Sequence, residues 1–174
     1  MSFEQTSGEA ARFRLCFVCT GNICRSPMAE TVMRSLAARS GLGDRVTITS
    51  AGTGDWHVGE PADARTLVAL ENRGYDASRH RGRQFDPSWF DDLDLVVVFD
   101  HSQERTLKSW ASTDQDRSKV QLLLSFDAEH SQANDVPDPY YSDAALFDQV
   151  LSMIEKSCAA LFRQITPGIR QGAL

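Results

Sequence analysis

Residues 13–41, FRLCFVCTGNICRSPMAETVMRSLAARSG, change periodicity midway. Up to Val18 the apolar side chains alternate. Phe13, Leu15 and Phe17 fall on one side and Cys16 and Val18 on the other, which is the period of a strand. From Ala29 onward they recur as Ala29, Val32, Met33, Leu36 and Ala37, the spacing of an amphipathic helix. Between the two lies a polar loop, CTGNICRSP, residues 19–27. Ser26 suits the helix N-cap, Pro27 the first helical position and Gly41 the stop. The stretch therefore predicts a strand, a tight loop and a helix.

The same alternation continues outward. RVTITSA (45–51), LDLVVVF (93–99) and KVQLLL (119–124) read as strands, the second of them apolar throughout, as a strand buried on both faces should be. Helices are predicted over 61–74, from a cap at Asp100 to about Trp110, and from near Ser142. The last has Phe147, Val150, Leu151, Ile154, Cys158, Leu161, Phe162 and Ile165 on one face. Strands alternating with helices imply βαβ units and a small doubly wound α/β fold: four parallel strands, flavodoxin-like, with helices on both faces. Ligands of such sheets sit beyond the carboxyl ends of the strands. The loops 19–26, 52–60 and 125–141 all follow strands, so chain order brings them to one edge. No repeat or linker interrupts the pattern. The expected organisation is one domain over 13–166, with a tail at 1–12 and another at 167–174.

Composition narrows the classes. With 174 residues the chain has room for one domain with a proper core. A formal charge of −6 argues against a general nucleic-acid binder. No apolar run reaches membrane-spanning length, and MSFEQTSGEAAR is not a standard secretory signal. Three of the four cysteines, Cys16, Cys19 and Cys24, crowd near the N-terminus while Cys158 stands apart; this is not a disulfide framework, so the reducing cytoplasm is expected.

The loop has a chemistry of its own. Backbone N–H groups at a strand-to-helix turn make an anion nest, and the helix dipole adds positive charge. Gly21 and Asn22 tolerate the left-handed conformation such a nest needs. Arg25 brings a planar fork that grips two phosphoryl oxygens. Cys19 at the base of the nest is held where a thiolate is favoured and in-line attack on phosphorus is possible. A basic leaving group departs poorly unless protonated, so an acid has to come from outside the nest, and the long 125–141 loop can deliver one.

VCTGNICRSPMAE (18–30) resembles the signature of the low-molecular-weight protein tyrosine phosphatases. SAGTGDWHVGEPAD (50–63) is similar to that family's segment after its second strand, and DVPDPYY (135–141) to its late acid loop. The likeness covers about residues 13–163. It implies a phosphotyrosine phosphatase I-like fold and metal-independent hydrolysis of phosphotyrosine and aryl phosphates through a phosphocysteine. Cys19 would be the nucleophile, Arg25 the phosphate clamp and Asp138 the general acid. Thr20, Gly21, Asn22, Ile23, Cys24 and Ser26 would form the phosphate-binding loop, held in shape by Ser50 and His80. No cofactor or metal is called for. The expected partners are phosphotyrosine proteins, with inorganic phosphate as product and competitive ligand, and the expected state is a monomer.

Other residues have plainer readings beside the functional ones. Cys24 is either a small loop filler or, as the resemblance implies, a thiol that pairs reversibly with the nucleophile. Cys16 and Cys158 read as core. A zinc site at Cys16 and Cys19 lacks a second ligand pair, since His57, His80, His101 and His130 are scattered. Trp56 is expected as an aromatic wall for a phenol ring, faced by Tyr140 and Tyr141. RHRGR (79–83) is either a collector of anions or a solvated loop; only His80 is assigned. FDHSQ (99–103) departs from the family, which often has Met-Asp and then Asn; Asp100 alone is kept. Two rivals remain. An arsenate reductase would need further cysteines, and 75–125 contain none. A phosphate-binding module or phosphocysteine carrier would have no use for an acid at Asp138.

Overall fold

The computed structural model describes residues 12–129 and 135–171. Its elements are β1 (Phe13–Cys19), α1 (Arg25–Arg39), β2 (Val46–Gly52), α2 (Ala64–Glu71), β3 (Leu95–Val98), α3 (His101–Trp110), α4 (Asp114–Lys119), β4 (Val120–Leu122) and α5 (Ala144–Gln171). The four strands are parallel in the order β2-β1-β3-β4. The chain moves from β1 outward to β2, then returns to place β3 on the other side of β1. The switch point thus lies between β1 and β3, and the loops that follow those two strands open the crevice.

Alternation along β1 divides the core. Leu15 and Phe17 face a layer built by α1, α2 and α5, where Met28, Met33, Leu70, Phe147, Leu151 and Leu161 are fully buried. Cys16 and Val18 face the opposite side, with Val96, Val98, Phe85, Phe90 and Leu107. Burying side chains of this size stabilises the fold by roughly 1.5–3 kcal/mol each. The sheet is therefore covered on both faces, as expected.

Several details differ from the sequence reading. Helix α1 begins at Arg25, and Cys24 is its N-cap without a side-chain capping bond. Ser26 is not the cap, because its hydroxyl is taken by the loop described below. Helix α2 is shorter than expected, since Asp63 caps it by accepting from the Arg65 N–H. Helix α4 was not expected. It buries no side chain, so it has no apolar period; its order comes from Thr113, which accepts from the Asp116 N–H, with Asp114 in the first turn and Lys119 in the last.

The segment expected as a tail at 167–174 is helical to Gln171. Pro167 lacks the N–H for one helical bond, yet Ile169 packs into the core and its carbonyl accepts from Arg45 Nη2 at 2.8 Å. Those contacts outweigh the lost bond. The rest of that tail, 172–174, and all but Arg12 of the one at 1–12 lie outside the described residues. So do His130 and 131–134 of the long loop.

Candidate active site

Strand β1 delivers Cys19 to the sheet edge, and six residues later α1 begins. A turn this tight needs a residue in the left-handed region. Asn22 takes it, at φ 59°, the one non-glycine among the described residues to do so. Its side chain then holds the turn shut. Asn22 Nδ2 donates to Ser26 Oγ (2.7 Å) and to Ser50 Oγ (3.0 Å), while its Oδ1 accepts from the Arg83 N–H (3.0 Å). The Asn22 carbonyl lies 2.7 Å from His80 Nε2. Its own N–H points at Cys19 Sγ at 3.3 Å, and Ser26 Oγ stands 2.9 Å from the same sulfur. The Ser26 hydroxyl accepts from Asn22, and its hydrogen has two acceptors in reach, the Cys19 sulfur and the Ala51 carbonyl at 3.4 Å. The Asn22 N–H thus donates to the Cys19 sulfur, and the Ser26 hydroxyl stands beside it.

Arg25 is almost wholly buried. Its Nη1 donates to Asp100 Oδ2 and to the Val136 carbonyl, each at 2.9 Å. Its Nη2 lies 3.6 Å from Asp138 Oδ2. A guanidinium buried and tied at one corner has few orientations, so the fork is preset. Asp100 does double work: its other oxygen caps α3 by accepting from the Gln103 N–H. Gln103, also buried, donates to Thr20 Oγ1 at 3.1 Å and accepts from the Phe99 N–H at 2.9 Å. The departure in FDHSQ is thus compensated, with Gln103 tying α3 to the loop. Behind Ser50, Glu30 accepts from the Ser50 hydroxyl at 3.3 Å and stands 3.7 Å from His80 Nδ1.

Sequence reasoning missed Glu30, Arg83 and Gln103 as supports, and named Asp100 only as a cap. The available signal was Glu30 inside the quoted signature and Gln103 just after Asp100. What was unavailable was that α1, α3 and the 79–83 turn meet behind one loop.

In front of the loop is a cavity of about 390 Å³, lined by Cys19, Thr20, Gly21, Cys24 and Arg25 below and by Trp56, His57, Asp138, Tyr140 and Tyr141 around it. The expected acid and the expected walls are all present. Asp138 is half-exposed at the rim, and its Oδ1 accepts from the Tyr140 N–H. Asp135, in the same loop, is held elsewhere: its Oδ1 meets the His101 N–H and Nδ1 at 3.0 and 2.8 Å. Trp56 is two-thirds exposed, with its ring folded over Gly54. Any Cβ at position 54 would fall within 1.7 Å of that ring. Tyr140 and Tyr141 meet edge to face at 4.8 Å. His57, set aside as scattered, packs against Gly21 and is oriented by Glu60 through a 2.6 Å contact at Nδ1. Ile23 points inward to the core, while its carbonyl accepts from the Asp63 N–H.

Burial separates the cysteines. Desolvation pushes the Cys24 thiol up to about 12, only partly offset by a neighbouring Thr66 hydroxyl. Cys16 is likewise pushed up to about 12 in the opposite core layer, and Cys158 is raised still further by complete burial. Among the described residues no group of three or more His, Cys, Asp or Glu is arranged to hold a metal ion.

The family model described as low molecular weight phosphotyrosine protein phosphatase matches residues 14–170. The chain is 48% identical over 154 residues to a low molecular weight protein-tyrosine-phosphatase of Streptomyces coelicolor, covering 88% of this chain and 93% of the relative. It is 42% identical over 146 residues to low molecular weight protein-tyrosine phosphatase A of Mycobacterium tuberculosis, covering 83% and 86%. The crystal structure of YfkJ from Bacillus subtilis superposes with a TM-score of 0.84 at 36% identity, covering 92% and 98%. A structure of YwlE arginine phosphatase superposes with a TM-score of 0.80 at 28% identity, covering 91% and 99%. A match over nearly the whole core, on a sheet whose switch-point loop presents Cys19 and Arg25 to one cavity, has one meaning: the chain belongs to the low molecular weight phosphotyrosine protein phosphatase family.

Proposed function

We propose that the protein hydrolyses phosphotyrosine in proteins, and aryl phosphates generally, through a phosphocysteine on Cys19. The observation that carries this reading is that Cys19, Arg25 and Asp138 border one cavity with aromatic walls. The loop amides and the Arg25 fork take the phosphoryl oxygens. The Cys19 sulfur forms a bond to phosphorus as the bond to the phenolic oxygen breaks. That oxygen receives the Asp138 proton and tyrosine departs. Asp138, now a carboxylate, takes a proton from water, whose oxygen bonds to phosphorus as the S–P bond breaks. Phosphate leaves and the thiolate is restored. Ser50 and His80 position the loop through Asn22.

The cavity also discriminates between phosphorylated side chains. A phosphoarginine would place a cationic guanidinium in the pocket and call for a carboxylate. The one carboxylate in the described lining is Asp138, and it faces Arg25. Trp56, Tyr140 and Tyr141 instead offer ring surfaces to a phenol. The site is complete within one chain, which supports a monomer. A thiolate nucleophile suits a reducing compartment, which supports the cytoplasm.

The test is Asp138→Asn, read as single-turnover phosphorylation of Cys19 across substituted phenyl phosphates, with chelator present. General acid catalysis contributes about 10²–10⁴-fold when the leaving group is basic. Phenyl phosphate should therefore slow by that order, and a strongly electron-withdrawn aryl phosphate much less. Equal slopes against leaving-group pKa for wild type and variant would remove Asp138 from the role. Arsenate turnover without phosphate release would restore the reductase reading.

A further inference from the structure

A larger cavity, about 620 Å³, lies behind the phosphate loop and shares no lining residue with the one in front. Arg34 of α1 and Arg79, Arg81 and Arg83 of the segment after α2 line it, opposed by Glu30 and Asp76. Four guanidinium groups against two carboxylates make a positive concavity in a chain of net charge −6.

Each arginine is only partly committed. Arg34 donates through Nε and Nη2 to the Ile48 carbonyl, and through Nη2 to Glu30. Arg81 donates through Nη1 alone, to the Ser78 and His80 carbonyls. Arg83 donates through Nε to the Ser50 carbonyl and stacks on Trp89 at 4.8 Å. Arg79 makes no hydrogen bond among the described residues and meets only the field of Asp76. Anchored guanidinium groups with N–H donors to spare are what multivalent oxyanion recognition requires. The substrate site uses none of these four side chains.

We propose that this cavity is a second anion site, taking a small multivalent oxyanion that bears phosphate or carboxylate groups, gripped between Arg34 and the arginines of 79–83. A concavity lined by four arginines is too charged for an apolar occupant and too roomy for a single monovalent ion. Its walls include Ser50 and His80, the same residues that hold Asn22, so an occupant would sit directly behind the loop.

The test is calorimetric titration of the full chain with pyrophosphate and, separately, citrate. Cys19 is first carboxymethylated with iodoacetate, so that the front site is closed to anions and turnover plays no part in the readout. Saturable one-site binding is expected. Arg79→Gln, an exposed change that leaves the fold untouched, should weaken it at least tenfold, and Arg34→Gln with Arg79→Gln should abolish it. Arg105→Gln, an exposed arginine outside the cavity, should have no effect. Binding of pyrophosphate alone would name a phosphate-bearing ligand, and binding of both a general oxyanion site. Absence of saturable binding, or equal weakening by Arg105→Gln and Arg79→Gln, would overturn the proposal.

Discussion

Asn22 is where the fold and the loop meet, and replacing it gives a prediction with two separable parts. Asn22→Ala removes three side-chain hydrogen bonds, to Ser26, Ser50 and the Arg83 N–H, all among buried or half-buried groups. At about 1 kcal/mol net for each, the loss is about 3 kcal/mol. Alanine must also adopt φ near 59°, which costs roughly 1–2 kcal/mol. Asn22→Gly loses the same bonds without that strain. Its unfolded chain is freer, however, by roughly 0.4–1 kcal/mol relative to alanine, which offsets part of the relief. The alanine variant should therefore lose about 4 kcal/mol and the glycine variant about 1 kcal/mol less. Urea unfolding followed by circular dichroism measures both, with the slope unchanged. Asn22→Asp keeps the turn preference and the Arg83 bond but loses both donors, and it sets a carboxylate beside the Cys19 sulfur. Its kcat/KM should fall further than its stability suggests. If alanine proves as stable as glycine, positive φ is not what selects asparagine here. If all three stay within 1 kcal/mol of wild type, the hydrogen-bond argument fails.

Three further outcomes follow. Gly54→Ala should drive the Trp56 ring off position 54, raising KM for a phosphotyrosine peptide while leaving competitive inhibition by inorganic phosphate unchanged; a shift in both would mean the loop itself had moved. Cys24 is buried with its thiol pushed up to about 12, so it is protonated at neutral pH and peroxide should attack Cys19 first. Dithiothreitol should then rescue wild type far better than Cys24→Ser, and equal recovery would assign Cys24 to packing alone. Asp63 is held below the usual carboxylate range, chiefly by its hydrogen bonds to the Arg65 side chain. A depressed folded-state value means this stability is present above about pH 4 and is lost as pH falls through the folded value. Asp63→Asn should flatten the acid limb of the stability–pH curve, and an unchanged limb would mean the pair is fully screened.

Much was legible in the chain because the signals are local. Two periodicities on either side of residues 19–27 were enough for the strand, the turn and the helix. Alternation also told the two faces of β1 apart. Charged and irregular pieces were less legible. Helix α4 has no apolar side to show, and 167–174 reads as a tail although Ile169, two residues beyond Pro167, packs into the core and accepts from Arg45, contacts no local spacing announces.

For the site, the sequence alone determined the nest. Cys19, the left-handed Asn22 and Arg25 lie within seven residues, and backbone geometry over so short a span leaves little else for them to form. The tertiary structure decided what holds the nest and what faces it. Glu30, Ser50, His80, Arg83 and Gln103 come from four separate stretches and converge because β2 and β3 flank β1 in parallel. Asp138 reaches Arg25 because the Val136 N–H donates to the Phe99 carbonyl and pins the returning loop against the end of β3. Such pairings depend on which strands are neighbours, a property of the packed sheet that no local spacing encodes.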